Sequence, residues 1–247
     1  MRLLRRGFPD RPAFGTAVSE AILHRVAAGE LGATLRVHRP ARELAFAKQD
    51  RAAPGFGAAV RAARAAGFEP VIRLAGGRAA VFTEGTLALA WSRPDPRPTR
   101  RTHERFEELA EIVAEALRGL GVDARIGEVP GEYCPGAWSV NARGAVKLAG
   151  LGQRIVRGGA HLGAVIVVSG DDLIRQALEP VYAALGLDWD PRTAGSVAAE
   201  VGEASIDVVE AALLDQFARH YELVEAELNP PILERAAELE AEHRAPH

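Results

Sequence analysis

PVIRLAGGRAAVFTEGTLALAWS, residues 70–92, decides the fold class. Three apolar runs, at 70–74, 78–82 and 86–92, are separated by Gly76-Gly77 and by Glu84-Gly85, which read as tight turns. No helical stretch lies between them, so they predict a meander and not strand-helix-strand units. Working outward, Phe14, Ala17, Val18, Ala21, Ile22 and Val26 fall at helical spacing over 14–28. TLRVHR at 34–39 and LAFAK at 44–48 read as strands on either side of Pro40, and Val60, Ala63 and Ala66 as a short helix closed by Gly67.

Downstream, the Pro/Arg-rich RPDPRPTR at 93–100 is a mobile-looking loop. Phe106, Leu109, Ile112, Val113, Ala116, Leu117 and Leu120 mark the clearest amphipathic helix. Strand patterns return in ARIGEV, WSVN, VKLAGLGQRIV and LGAVIVV between 123 and 169. Helices follow at 171–187, capped by Asp171 or Asp172 and interrupted at Pro180, and at roughly 205–225. The expected fold is α+β, a mixed and largely antiparallel sheet flanked by helices. One catalytic domain would span 1–225, and 226–247 would be a charged, solvated helix or tail.

A chain of 247 residues with 48% apolar side chains can bury a large core, which excludes a disordered class. The 30 basic and 33 acidic residues leave a formal charge of −3, so no overall positive field points to nucleic acid. No run approaches the roughly 20 apolar residues of a membrane-spanning helix. The expectation is a cytoplasmic protein that contacts neither nucleic acid nor membrane. The seven histidines show no metal spacing, and no metal is assigned; His161 in GGAHLG reads equally as a satisfied core residue or a catalytic one.

The chemistry concentrates in GEYCPGAWSVNARGAVKLAGLGQRIVRGGA, residues 131–160. Cys134, the chain's one cysteine, sits among Gly131, Glu132, Tyr133, Pro135 and Gly136 and not in an apolar periodic run where an inert core thiol belongs. A nucleophilic thiolate needs nearby cations, and Lys147, Arg143, Arg154 and Arg157 follow on predicted strands. Lys147, with small or apolar neighbours in VKLAG, is a base or carbonyl-binding group if it faces inward. Gly150 and Gly152 leave room for a flat or linear ligand. Arg73 and Arg78 flank the glycine pair and suit a carboxylate or phosphate, although the segment matches no phosphate-binding loop. Together Arg73, Arg78, Arg143, Arg154 and Arg157 are expected to form a basic patch beside Cys134 for acidic carriers.

These residues carry a resemblance. RLAGGRAAVFTEGTLALAWS is similar to the glycine-pair strand motif of the biotin/lipoate protein ligase superfamily, and GEYCPG…VKLAG…QRIVRGGA resembles the catalytic segment of its lipoyl-pathway members. The likeness covers roughly residues 10–220 and is nearest to the cysteine-dependent amidotransferases that move octanoyl groups. It implies the α+β catalytic domain of biotin and lipoate ligases, Cys134 as acyl acceptor, Lys147 near the acyl carbonyl, and Gly76 and Gly77 in the wall of an acyl tunnel. It also implies glycine cleavage H protein or acyl carrier protein as donor, lipoyl domains of 2-oxoacid dehydrogenases as acceptors, and no cofactor. The alternatives are an ATP-dependent lipoate ligase that makes lipoyl-AMP and a non-catalytic carrier-binding relative. Arg78 and Thr83-Glu84 stand where such ligases carry a third glycine and a His-Asp pair, which weakens the nucleotide reading.

Overall fold

The computed structural model describes residues 1–246. In chain order the elements are β1 (Arg2–Leu4), α1 (Pro12–Ala27), β2 (Thr34–His38), β3 (Glu43–Phe46), α2 (Lys48–Arg51), α3 (Phe56–Ala65), β4 (Glu69–Ile72), β5 (Ala80–Phe82), β6 (Thr86–Pro94) and α4 (Thr102–Gly119). Then come β7 (Ala124–Ile126), β8 (Val140–Ala142), β9 (Val146–Val156), β10 (Gly159–Val167), α5 (Asp171–Leu185), a 3-10 turn at Pro191–Thr193, α6 (Val197–Val201), α7 (Ile206–Ala218), β11 (Val224–Glu225) and α8 (Pro230–His243).

Two sheets organise the fold. The large one runs β11-β1-β2-β6-β10-β9-β8-β7, parallel at β11-β1-β2 and antiparallel from β2 onward. The small one runs β4-β3-β5. The architecture is the mixed, largely antiparallel sheet with flanking helices that the sequence predicts. The meander over 70–92 is corrected. β4 and β5 do not pair with each other but flank β3, and β6 belongs to the large sheet. The physical reason lies in the connection 73–79: its amides bond elsewhere, Gly76 N–H to the Gln153 carbonyl at 3.4 Å and Arg78 N–H to the Cys134 sulfur.

Alternation along the strands sorts the large sheet into two faces. Leu87, Leu89, Trp91, Leu162 and Ile166 point to one side, where Leu109, Ile112, Val113 and Leu117 of α4 and Leu213 and Phe217 of α7 close the core. Trp91 stacks edge-on with Phe217 at 5.3 Å. The other face carries small residues and is covered by α1 and the small sheet. α3 and α5 pack on that small sheet around Phe46, Phe56 and Tyr182.

Three local readings change. Helix α5 continues through Pro180 to Gly186, whose φ of 68° ends it, and its N-cap is Gly170; Asp171 is engaged instead by Ser196 Oγ at 2.7 Å. The loop 93–100 is anchored: Asp95 is buried and pairs with buried Arg105 at 2.6 Å. Finally, the charged C-terminal segment forms a helix, one of the two forms expected of it, but that helix is packed and not solvated all round. Ile232, Ala236 and Leu239 of α8 pack on Phe14, Val18 and Ile22 of α1, and His243 bonds the Ile72 carbonyl at 2.7 Å. The charges of this segment dominate its composition, but its apolar residues recur at helical spacing and need cover. His247 lies outside the described residues.

Candidate active site

Directly opposed residues on neighbouring strands share a face. Gly152, Gly163, Ala90 and Arg36 form one row across β9, β10, β6 and β2, and Gly150, Val165, Ala88 and His38 form the next. The middle of this face therefore has almost no side chains, and a cavity sits on it, walled by residues of α1 and of the small sheet such as Thr16, Ala45 and Phe82. Gly150 and Gly152 line it. A Cβ at Gly152 would come within 2.9 Å of Ala75 Cβ, so glycine keeps the 73–75 segment close to β9.

Lys147 reaches the same face through an irregularity. Strict alternation would place 147 and 150 on opposite faces. Val140 opposes Ala149, yet Asn141 opposes Lys147, so β9 uses two residues where β8 uses one. Leu148 and Ala149 both enter the core on the far side, and Lys147 turns into the cavity with Gly150. Re-aiming a side chain beside a functional site is a recurrent use of bulges.

Cys134 is one of two described non-glycine residues with positive φ, at 44°. Such a backbone costs on the order of 1–3 kcal/mol and persists only where its surroundings hold it. Here they do. Its N–H donates to Tyr182 Oη at 2.7 Å, and that hydroxyl donates to the Ala79 carbonyl at 3.0 Å. The buried Glu132 carboxylate accepts from Val129 N–H, Gly136 N–H, Ser139 Oγ and Lys147 Nζ, the last at 3.0 Å. Lys147 Nζ also donates to the carbonyls of Tyr133 at 3.0 Å and Cys134 at 2.8 Å. An ammonium has three protons, and all three are used within the cysteine loop.

The thiol itself faces Arg73 and Arg78. Arg73 Nη2 lies 3.3 Å from Sγ and Arg78 N–H donates to Sγ at 3.2 Å. Burial, the largest single influence, pushes the thiol pKa up. The charges of Arg73 and Lys147 and the bonds from Arg78 N–H and Arg73 outweigh it, so Cys134 titrates below the ordinary thiol value. Gly77, with φ 102°, packs against the sulfur: a Cβ there would stand 2.8 Å from Sγ.

Of the residues singled out in the sequence, the structure brings Cys134, Lys147, Arg73, Gly77, Gly150 and Gly152 together. Gly76 and Gly77 are not among the residues lining this cavity; they form the loop that packs against the thiol, with the Gly76 carbonyl close to Gly152 of the cavity floor. The five-arginine patch is also corrected. Arg73 and Arg78 are at the thiol, but Arg143 is held bidentately by Glu200, Arg154 opposes His161 seven residues along β9 from Lys147, and Arg157 lies ten residues along, roughly 30 Å at the rise of a strand. Lys48 and Arg51 of α2 are exposed cations on the helix whose Gln49 bonds the Gly77 carbonyl. His161 is buried and lines the cavity, its pKa depressed to about 4 by burial and the Arg36 charge. Sequence reasoning missed Glu132 and Tyr182. A carboxylate in a loop and a tyrosine on an apolar helix face carry no signal of what they bond.

A loop cysteine beside a cavity floored by small residues of the large sheet and covered by α1 is a candidate catalytic centre, and comparison with known proteins makes its class specific. The family model of the lipoyl protein ligase A/B catalytic domain matches residues 11–218, and the chain belongs to that family. An octanoyl-[GcvH]:protein N-octanoyltransferase of Geobacillus kaustophilus is 29% identical over 170 residues, 69% of this chain and 60% of that protein. One of the same name from Exiguobacterium sibiricum is 33% identical over 55% of this chain and 50% of that protein. The matches thus span three fifths or less of these two relatives' lengths. Among solved structures, a lipoate-protein ligase A bound with ATP superposes with a TM-score of 0.79 at 24% identity, covering 97% of this chain and 94% of that one. Ta0514 of T. acidophilum, a lipoate protein ligase structure with bound lipoic acid, gives 0.76 at 24% identity over 98% and 95%. These two establish the fold.

Proposed function

We propose that the chain is an acyltransferase that moves an octanoyl or lipoyl group between carrier proteins through a thioester on Cys134. One observation carries the reading: a single cysteine, fixed in a left-handed loop between Arg73 and Arg78 N–H, with its pKa lowered, beside a mostly apolar cavity. The names of the relatives support octanoyl as cargo and glycine cleavage H protein as donor. Acyl carrier protein is the other candidate donor, and lipoyl domains of 2-oxoacid dehydrogenases are the acceptors. A reducing cytoplasm would keep the thiol free.

The chemistry follows from the groups present. The sulfur attacks the carbonyl carbon of an acyl-lysine; the C–S bond forms, the C–N bond breaks, and the thiol proton ends on the departing amine. The acceptor lysine then attacks the thioester, its amine proton returning to the sulfur as the C–S bond breaks. Arg73 and Arg78 N–H hold negative charge on sulfur beforehand and are placed to hold it on the carbonyl oxygen during each attack. Lys147 is a positioning residue, since its donors hold the Glu132 carboxylate and the loop carbonyls. No nucleotide enters this scheme.

The test is transfer from octanoylated H protein to an unmodified lipoyl domain, followed by mass spectrometry without nucleotide. Acceptor gain of an octanoyl group with matching donor loss is expected. Modification that requires ATP and free acid, and that survives Cys134→Ala, would establish the ligase reading instead.

A further inference from the structure

The cavity is apolar in the middle and polar at the end away from the thiol. Its floor crosses β9, β10, β6 and β2, three strand spacings or about 14 Å from Gly150 to His38. Cys134 and Lys147 stand at the β9 end. At the β2 end the lining includes His38, Glu43, Ser19 and Thr16.

These polar groups are not satisfied by one another. His38 Nδ1 is buried with no described partner, and so is Nη2 of the 1% exposed Arg36, whose other nitrogens donate to Ser19 Oγ and to the carbonyls of Arg6 and Gly15. The Glu43 carboxyl faces the cavity and makes no hydrogen bond among the described residues. Burial pushes its pKa up to about 8 against the pull of Arg36, so at neutral pH it is mainly a protonated group able to donate and accept. Burial and the Arg36 charge hold His38 in its neutral form. Buried polar atoms are almost always paired, and an unpaired one on a cavity wall, here His38 Nδ1 beside the Glu43 carboxyl, is where a ligand completes the pairing.

Length decides what reaches them. Seven C–C bonds of about 1.5 Å in zigzag extend about 9 Å, so an octanoyl chain that starts over β9 stops about one strand spacing short of β2. Its terminal methyl would face His38, whose Nδ1 is buried and without a described partner, and the Glu43 carboxyl. We propose that the β2 end is a subsite for an uncharged polar group, of the hydroxyl type, on the far end of a medium-chain acyl group, with Glu43 and His38 as its specificity-determining residues. The claim about cargo rests on Cys134 being the acyl acceptor; the claim about binding does not.

Calorimetric titration of the whole protein with octanamide and with ω-hydroxyoctanamide separates the two claims. The hydroxylated chain is expected to bind about tenfold tighter or more, because the plain chain leaves buried polar groups unpaired. In Glu43→Leu and in His38→Leu, each checked for folding by circular dichroism, that preference should vanish or reverse. Equal or tighter binding of octanamide to the unaltered protein would overturn the subsite. The same comparison with the two acyl groups on H protein, read as adduct mass on Cys134, should favour the hydroxylated chain. A binding preference with no adduct from either donor would refute the thioester reading and leave the subsite standing.

Discussion

Lys147 and Cys134 are joined backbone to side chain and not side chain to side chain: Nζ donates to the cysteine's own carbonyl at 2.8 Å, while Sγ is met by Arg73 and Arg78 N–H. The lysine therefore fixes the loop's conformation and contributes its charge to the thiol from behind. It does not share the thiol proton.

The Lys147 and Glu132 side chains are 1% and 0% exposed. Removing one partner strands a buried charge, so Lys147→Met should lower unfolding free energy by about 3–5 kcal/mol. Adding Glu132→Gln should recover part of that loss, which urea denaturation of the two single variants and the double variant will show. Additive losses would mean the pair is not coupled.

Removing the Arg73 charge should raise the Cys134 pKa. Iodoacetamide alkylation of Arg73→Ala across pH is expected to have its midpoint shifted upward, and acyl transfer at neutral pH should fall about 10²-fold, the usual scale for one lost oxyanion-type donor. Arg143→Ala, whose partner is Glu200, should change neither.

The adjacent glycines should respond differently. A Cβ at Gly77 would crowd Sγ and force a positive φ on alanine, whereas one at Gly76 meets nothing within 4 Å. Gly77→Ala should therefore abolish alkylation and transfer while Gly76→Ala keeps both. Equal effects would show that the pair acts as flexible hinge and not as packing behind the thiol.

Glu43 makes stability depend on pH in an unusual sense for a carboxyl group. Its folded-state pKa of about 8 lies above the unfolded value, so its contribution is full below the unfolded pKa and is lost as pH rises through 8. The buried, neutral His161 acts the other way, costing stability as pH falls from its ordinary range through about 4. Glu43→Gln should remove the decline that runs from about pH 4.5 to 8, as measured by urea unfolding between pH 4 and 9.

The class of fold and the centre of the site were legible because they rest on local pattern. Alternation marks β6, β9 and β10, and helical spacing marks α1 and α4. Cys134 stands out by its neighbours Gly131, Pro135 and Gly136. What was not legible depends on where backbone amides go. Gly76-Gly77 has the composition of a hairpin turn, but the Gly76 amide serves Gln153 and the following Arg78 amide serves Cys134, so β4 and β5 part company. The facing of Lys147 turns on a one-residue bulge at Leu148 that no side-chain pattern announces. Tyr182 acts through partners far away in sequence, and the register of four strands is needed to see that His38 and Gly150 end one row.

Intact mass reads the Cys134 thioester itself. After exposure to octanoylated H protein, the chain should gain one octanoyl group that hydroxylamine removes, and Cys134→Ser should gain none. An unmodified chain during active transfer, or an adduct that survives in Cys134→Ser, would contradict the account.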